Sequence, residues 1–169
     1  MTEQQPEQQP EQQPEQQPEQ EQEQEQEQEQ EQEWLTATAK EDELTVIFRL
    51  LPEIPTGLVT ANFPARIEIV WTYQSPNESG MPGPDTQQIM NQFEEHLVDA
   101  WHNAGLGYLT MLITGNNICE WQWYLKDVDE ALLILNEAIA DLPTLPIDIH
   151  TEIDPDWYAY SNFMQQISS

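Results

Sequence analysis

Between Glu3 and Glu33 the chain has no side chain that could contribute to a hydrophobic core. These residues repeat Glu-Gln-Gln-Pro and then alternate Glu with Gln as far as Glu33, with twelve Glu and no Lys or Arg. Such a segment cannot offset the conformational entropy that is lost on folding. We therefore predict a disordered low-complexity tail over residues 1–33 and a single folded domain over residues 34–169.

The predicted domain is strongly acidic in its own right. Of the 32 acidic residues in the chain, 20 lie after the tail, whereas Lys and Arg together number only 4. Nucleic acids and anionic membranes are bound mainly through clustered Lys and Arg. We therefore expect no direct binding to nucleic acid and no membrane binding, and a protein with a basic surface is the expected partner.

The chain carries few signals of an oxidising or membrane environment. Its N-terminus has no apolar signal region, and no apolar run approaches the roughly 20 residues that span a bilayer. Cys119 is the only cysteine, so an internal disulfide is excluded. These features predict a cytoplasmic protein.

Strands are predicted wherever apolar residues recur at every second position. Trp34–Lys40 and Glu43–Leu51 are predicted to form an N-terminal hairpin. Four later strands should each present one apolar face. The residues of these faces are Ile67, Ile69, Trp71 and Tyr73; Leu109, Met111 and Ile113; Cys119, Trp121, Trp123 and Leu125; and Ile147, Ile149, Thr151 and Ile153.

Helices are predicted where apolar residues recur every three or four positions after a capping residue. Asp85 should cap the first helix through the amide of Gln88, and Asp127 should cap the second. Asp154 should cap a third helix that has Pro155 at its first position. The apolar stripes of the first two helices are Ile89, Phe93, Leu97 and Trp101, and Val128, Leu132, Leu135, Ile139 and Leu142.

After the hairpin the predicted order is β-α-β-β-α-β, which is that of a split βαβ, ferredoxin-like sandwich. We therefore expect an α+β domain in which two helices cover one face of a four-stranded sheet, and the hairpin extends or caps that sheet. The opposite face should be more polar and is the candidate interaction surface, with Tyr124 as an accessible aromatic residue. The residues of this surface are Arg66, Glu68, Glu120, Gln122, Tyr124 and His150.

Five segments also carry a likeness to a known family. They are Leu44–Leu51, Ala65–Tyr73, the Gly80-Met81-Pro82 loop, Trp121–Tyr124 and Ile147–Tyr160. In this order they resemble a bacterial family known only as domain-of-unknown-function family 695. The resemblance covers most of residues 34–163 and supports the domain boundaries. It implies no activity, because the family has none established.

We assign no catalytic, cofactor-binding or metal-binding residues, because no convergent set is present. His96 and His102 are six positions apart on a predicted helix, about 240° around its axis, so they do not share a face. Asp154 and Asp156 fit helix capping better than an acid/base pair. Cys119 alternates with core tryptophans, which indicates a buried thiol without catalytic reactivity.

Two functional hypotheses follow, and the oligomeric state stays open. The first is a non-catalytic cytoplasmic protein-interaction module. The alternative is a small hydrolase or ligand-binding domain that uses Glu68, Glu120 and His150 on the polar sheet face as acid/base groups. Convergence of these three side chains in a concave pocket favours the second hypothesis, and an open face favours the first.

Overall fold

The structure is a computed structural model that describes residues 33–169, of which Trp34–Ser169 form one compact unit. The predicted disordered tail lies, up to residue 32, outside the described residues. Within residues 33–169 the chain forms six β-strands and three α-helices. Their bounds are β1 Leu35–Glu41, β2 Leu44–Leu50, β3 Ala65–Thr72, α1 Pro84–Leu97, β4 Gly107–Gly115, β5 Ile118–Leu125, α2 Val128–Ala138, β6 Ile147–Ile153 and α3 Tyr158–Ile167.

The six strands form one sheet in the order β1-β2-β4-β5-β3-β6. Every neighbouring pair is antiparallel. The predicted α+β class is therefore confirmed. The N-terminal hairpin extends the sheet, because β2 pairs with β4 along Val46–Leu50. Among the described residues, no helix is long and apolar enough to cross a bilayer.

Helices α1 and α2 pack on one face of the sheet, where the tryptophans of β3 and β5 form the centre of the core. Trp71, Trp121 and Phe93 contact one another with ring centroids 5.2–6.3 Å apart. Trp101 meets Trp123 edge to face at 5.3 Å. All five aromatic side chains are buried. The alternation of apolar residues in β3 and β5 therefore reflects burial against the helices.

The start of α1 differs from its prediction, whereas that of α2 agrees with it. The predicted cap at Asp85 is wrong, because α1 begins at Pro84 after Gly83 and has no side-chain cap. Proline suits this first position, since the helix needs no N–H there. Asp127 caps α2 as predicted, accepting a hydrogen bond of 2.8 Å from the N–H of Glu130.

A bulge in β4 changes the predicted faces of that strand. Leu109 lies opposite Trp123, but Met111 lies opposite Gln122, so the register shifts between them at Thr110. The prediction that Leu109 shares a face with Met111 is therefore wrong. The extra residue is anchored, because the buried Thr110 hydroxyl donates to the carbonyl of Gln122 at 3.1 Å.

Helix α3 covers part of the second sheet face, which was expected to be polar. Phe163 on α3 contacts Phe48 on β2 with ring centroids 5.5 Å apart. Ahead of α3, the Trp157 ring stacks on Tyr124 at 4.4 Å and is fully buried. The expectation of Pro155 at the first helical position is wrong, because α3 begins only at Tyr158. The second face is thus apolar beneath α3 and polar along β3 and β6.

Candidate interaction surface

The polar part of the second face is formed by side chains of β5, β3 and β6, which lie side by side. Directly opposed residues of these strands form three rows across the sheet. The rows are Tyr124, Arg66 and Glu152; Gln122, Glu68 and His150; and Glu120, Val70 and Asp148. The structure thus places all six residues predicted for the candidate surface on one face.

Arg66 is the centre of the hydrogen-bond network on this surface. Its Nη2 donates to Oε1 of Gln122 at 2.9 Å and its Nη1 donates to Oε1 of Glu152 at 2.5 Å. It also forms an ion pair with Glu68. Burial alone would lower the pKa of Arg66, but the bond to Glu152 and the charges of Glu68 and Glu152 raise it above its ordinary value. Arg66 is therefore a fixed cation that organises the carboxylates around it.

Glu120 lies at one end of the network, where it is half-buried. Burial raises its pKa, and the negative charge of Glu68 adds to this effect. The amide of Gln122 opposes it by donating a hydrogen bond of 2.5 Å to Oε1 of Glu120. Glu120 thus holds its proton more tightly than an exposed glutamate.

Tyr124 is not the accessible aromatic residue that we predicted, because its exposed fraction is 0%. The ring lies beneath Trp157, and its hydroxyl donates to Oδ2 of Asp154 at 2.7 Å. Burial, followed by this bond to Asp154, raises the pKa of Tyr124 well above its ordinary value. Tyr124 therefore connects the sheet to the segment before α3 and does not belong to the open surface.

Two residues that the sequence analysis did not include complete the surface. Asp148 and Glu152 flank His150 at every second position of β6, and all three are exposed. The period of two that placed His150 on this face applies equally to its neighbours. The open surface therefore carries the carboxylates of Glu68, Glu120, Asp148 and Glu152 against the single cation of Arg66.

The polar surface on β5, β3 and β6 lies apart from three cavities of the described domain. One cavity of about 510 Å³ is lined by α1, by the π-helical segment Val98–His102 that follows it, and by α2. A second of about 470 Å³ is lined by Arg49 together with α1 and the same π-helical segment, and a third of about 300 Å³ includes Arg49, Met81 and Leu112. All three involve the helical side of the sheet. Glu68, Glu120 and His150 line none of them and lie on an open sheet face.

The structure also shows the surroundings of the residues that were considered for metal binding or nucleophilic chemistry. Within residues 33–169, no group of three or more His, Cys, Asp or Glu side chains could hold a metal ion. Cys119 is buried, and this burial raises the pKa of its thiol to about 12. Asp154 accepts hydrogen bonds from the N–H groups of Tyr158 and Ala159, so it caps the start of α3.

Fold and surface together define an acidic α+β domain with an open, carboxylate-rich sheet face. The chain belongs to the Family of unknown function (DUF695), whose model matches residues 32–165. The family resemblance seen in the sequence is thereby confirmed. No curated protein matches the chain, and no solved structure does.

Proposed function

We propose that residues 34–169 form a non-catalytic protein-interaction domain that binds a basic segment of another cytoplasmic protein on the acidic sheet face. The observation that carries this proposal is the arrangement of four carboxylates and one guanidinium across the rows of β5, β3 and β6. The excess of negative charge there attracts Lys and Arg and disfavours phosphate-bearing partners.

The order of strands supports a finer description of the scaffold. We propose that β3 to β6 with α1 and α2 form a ferredoxin-like unit, to which the β1–β2 hairpin is added at one side. In its support, the strands lie in the order β4-β5-β3-β6 and all pair antiparallel. Such a unit leaves the face opposite its two helices uncovered, and here α3 covers only the part near β2 and Tyr124, so the part along β3 and β6 stays available for recognition.

A hydrolytic or ligand-binding role is the second candidate, because the register sets His150 directly opposite Glu68. Two contacts weigh against it. Glu68 is paired with Arg66, and Glu120 accepts a bond from Gln122. Both side chains are thus engaged in contacts that order the sheet surface, and together with His150 they line none of the three cavities described above.

The interaction proposal is tested by removing charge from the surface of the full-length protein. Asp148→Asn combined with Glu152→Gln removes two negative charges from β6. The matched control is Asp141→Asn combined with Glu137→Gln. It also removes the charge of one Asp and one Glu, from exposed positions in and after α2. The probe is a peptide of seven residues that alternates valine and lysine, matched in length to β6. Its affinity is measured by calorimetry at several salt concentrations.

The β6 double variant should bind the peptide about three- to tenfold more weakly, with a shallower dependence on salt. The α2 double variant should bind as the wild type does. Equal losses in both variants would show that only the net charge of the chain matters. Absence of binding by the wild-type protein would overturn the proposed function.

A further inference from the structure

Strand β6 forms an edge of the sheet and pairs, within the described residues, only with β3. The N–H of Asp154 donates to the carbonyl of Pro64 at 2.8 Å, at the next position of the β3–β6 register. In an antiparallel pair, residues that bond to the partner alternate with residues whose N–H and C=O groups point away from it. His150 and Glu152 therefore bond to β3, and Ile149, Thr151 and Ile153 turn their backbone groups outward.

All three of these positions are exposed, and two of them are isoleucine. Ile153 is 76% exposed and Ile149 is 37% exposed. Thr151 between them is exposed as well. Edge strands are usually protected by a bulge, a proline, a covering element or charged side chains, and the charged side chains of β6, Asp148 and Glu152, are acidic. Pairing of β6 with β3 runs without a register shift from Ile147 to Ile153, so β6 is regular, and within residues 33–169 no strand pairs with its outer edge.

The other side of the same strand is acidic. Asp148, His150 and Glu152 face the carboxylate-rich surface, next to Glu68 and Arg66 of β3. An extended segment added to β6 would thus have one row of side chains beside isoleucines and the other beside carboxylates. A strand with apolar residues alternating with Lys or Arg matches both rows.

We infer that β6 receives such a basic, alternating segment of a partner protein as an additional antiparallel strand. This inference rests on the proposed function and names how the partner binds. Backbone hydrogen bonds to Ile149, Thr151 and Ile153 supply affinity, and the carboxylates of Asp148 and Glu152 select basic side chains. Antiparallel pairing continues the pattern of every strand pair in the sheet.

In two of the registers open to it, a second copy of the chain would place like charges opposite each other at this edge. Antiparallel pairing of two β6 strands centred on His150 would set Asp148 of one copy opposite Glu152 of the other, and centring on Thr151 would set Asp148 opposite Asp154. Like charges directly opposite each other are destabilising. The chain's own residues 1–33, with twelve Glu and no Lys or Arg, match neither row. A basic partner is therefore the occupant that the charges select.

Antiparallel addition of the peptide to β6 can be tested with the wild-type protein, because it determines which peptide amides bond to β6. When the peptide pairs antiparallel with β6, its valines lie opposite Ile149, Thr151 and Ile153. Their side chains then lie on the same face as the isoleucines, and their backbone amides point toward β6. In the alternating peptide, N-methylation of the valine amides should therefore weaken binding about tenfold or more. N-methylation of the lysine amides should leave the affinity unchanged. The reverse pattern, or equal effects of both, overturns the inference.

A variant pair tests the same edge from the protein side. In Thr151→Pro, the ring replaces an N–H that points away from β3, so the β3–β6 ladder stays intact while an added strand is blocked. In Thr151→Val, the side chain changes but the N–H stays. We expect Thr151→Pro to lose about tenfold or more in affinity for the peptide and Thr151→Val to bind like the wild type.

The outcomes separate the two proposals. Unchanged binding by Thr151→Pro, together with tolerance of valine N-methylation, overturns strand addition while the charge-dependent binding still stands. If Thr151→Pro fails to fold, the two N-methylated peptides decide the question with wild-type protein. A peptide with glutamate in place of lysine should not bind, and its binding would contradict the selection of basic side chains.

Discussion

The hydroxyl of Tyr124 donates a hydrogen bond of 2.7 Å to Oδ2 of Asp154, and this contact links the centre of the sheet to the start of α3. The same carboxylate accepts bonds from the N–H groups of Tyr158 at 2.8 Å and Ala159 at 3.0 Å. These two bonds span Trp157, whose backbone is in the left-handed region with a φ of 54°. One side chain thus caps the helix and holds a backbone conformation that tryptophan rarely adopts.

Replacing Tyr124 with Phe should destabilise the domain by about 1–3 kcal/mol, because a partly buried hydrogen bond to a carboxylate is lost. Urea unfolding followed by tryptophan fluorescence measures this change. Tyr158→Phe is the matched control, since Tyr158 is 71% exposed. It should change stability by less than about 0.5 kcal/mol. Equal effects of the two substitutions would show that the bond to Asp154 contributes nothing.

Acid should weaken the same cap. Burial alone would raise the pKa of Asp154, but the N–H of Ala159, the hydroxyl of Tyr124 and the N–H of Tyr158 together hold it below its ordinary value of 3.8. A carboxyl with a lowered pKa in the folded state stabilises that state above its unfolded pKa. This contribution is lost as the pH falls through the folded pKa.

The matching experiment compares wild-type protein with Asp154→Asn between neutral pH and about pH 3. The variant should be less stable near neutral pH, and the difference should shrink as the pH falls below about 4. The comparison is needed because Glu120 acts in the opposite direction. Its raised pKa means that the folded state gains stability on protonation. A difference that stays constant with pH would contradict the role of the Asp154 charge.

Alternation of apolar residues sufficed to find the strands and their faces in most of the sheet. It places Trp121 and Trp123 in the core, and it puts Glu68, Gln122 and His150 together on the other face. It does not tell what covers that face. Tyr124 was expected to be accessible because its neighbours are polar, yet the segment that buries it begins some 30 residues later, at Trp157.

The bulge in β4 shows a second limit. Nothing in the local pattern around Leu109 and Met111 predicts an extra residue between them. Thr110 is held there by its own bond to Gln122 and by the N–H of Leu51, which donates to the carbonyl of Thr110 at 2.9 Å. Gln122 lies on β5 and Leu51 directly follows β2, so both partners lie outside β4. Such a shift therefore follows from the paired sheet and not from the strand's own sequence.

Trp101 and Trp123 should respond differently to replacement by Phe, although both are fully buried and in contact. The indole N–H of Trp101 donates to the carbonyl of Ala131 at 2.9 Å. That of Trp123 has no hydrogen-bond partner among residues 33–169. Trp101→Phe should therefore cost about 1 kcal/mol more than Trp123→Phe, since only the first leaves a carbonyl unpaired. Thermal unfolding of the two variants measures this, and a larger loss for Trp123→Phe would contradict it.

Gly115 should be the glycine on which docking of the N-terminal hairpin depends. Its φ is 146°, and a Cβ added there would lie 2.5 Å from the carbonyl oxygen of Thr45 and 2.9 Å from Cα of Val46. Both contacts are with the backbone of β2, so Gly115→Ala should push β2 away from β4 and cost about 3 kcal/mol or more. Gly57→Ala is the control: it too has a positive φ, 82°, but its Cβ would meet nothing within 4 Å.

The control should lose only the backbone term of about 1–2 kcal/mol. Hydrogen exchange distinguishes how Gly115→Ala fails. Because β2 bonds to β4 along Val46–Leu50, protection should fall first in β1 and β2, before it falls in β3 and β5. Equal stability of the two glycine variants, with unchanged protection in β2, would mean that the hairpin tolerates the added methyl group and that the close approach at Gly115 is not required.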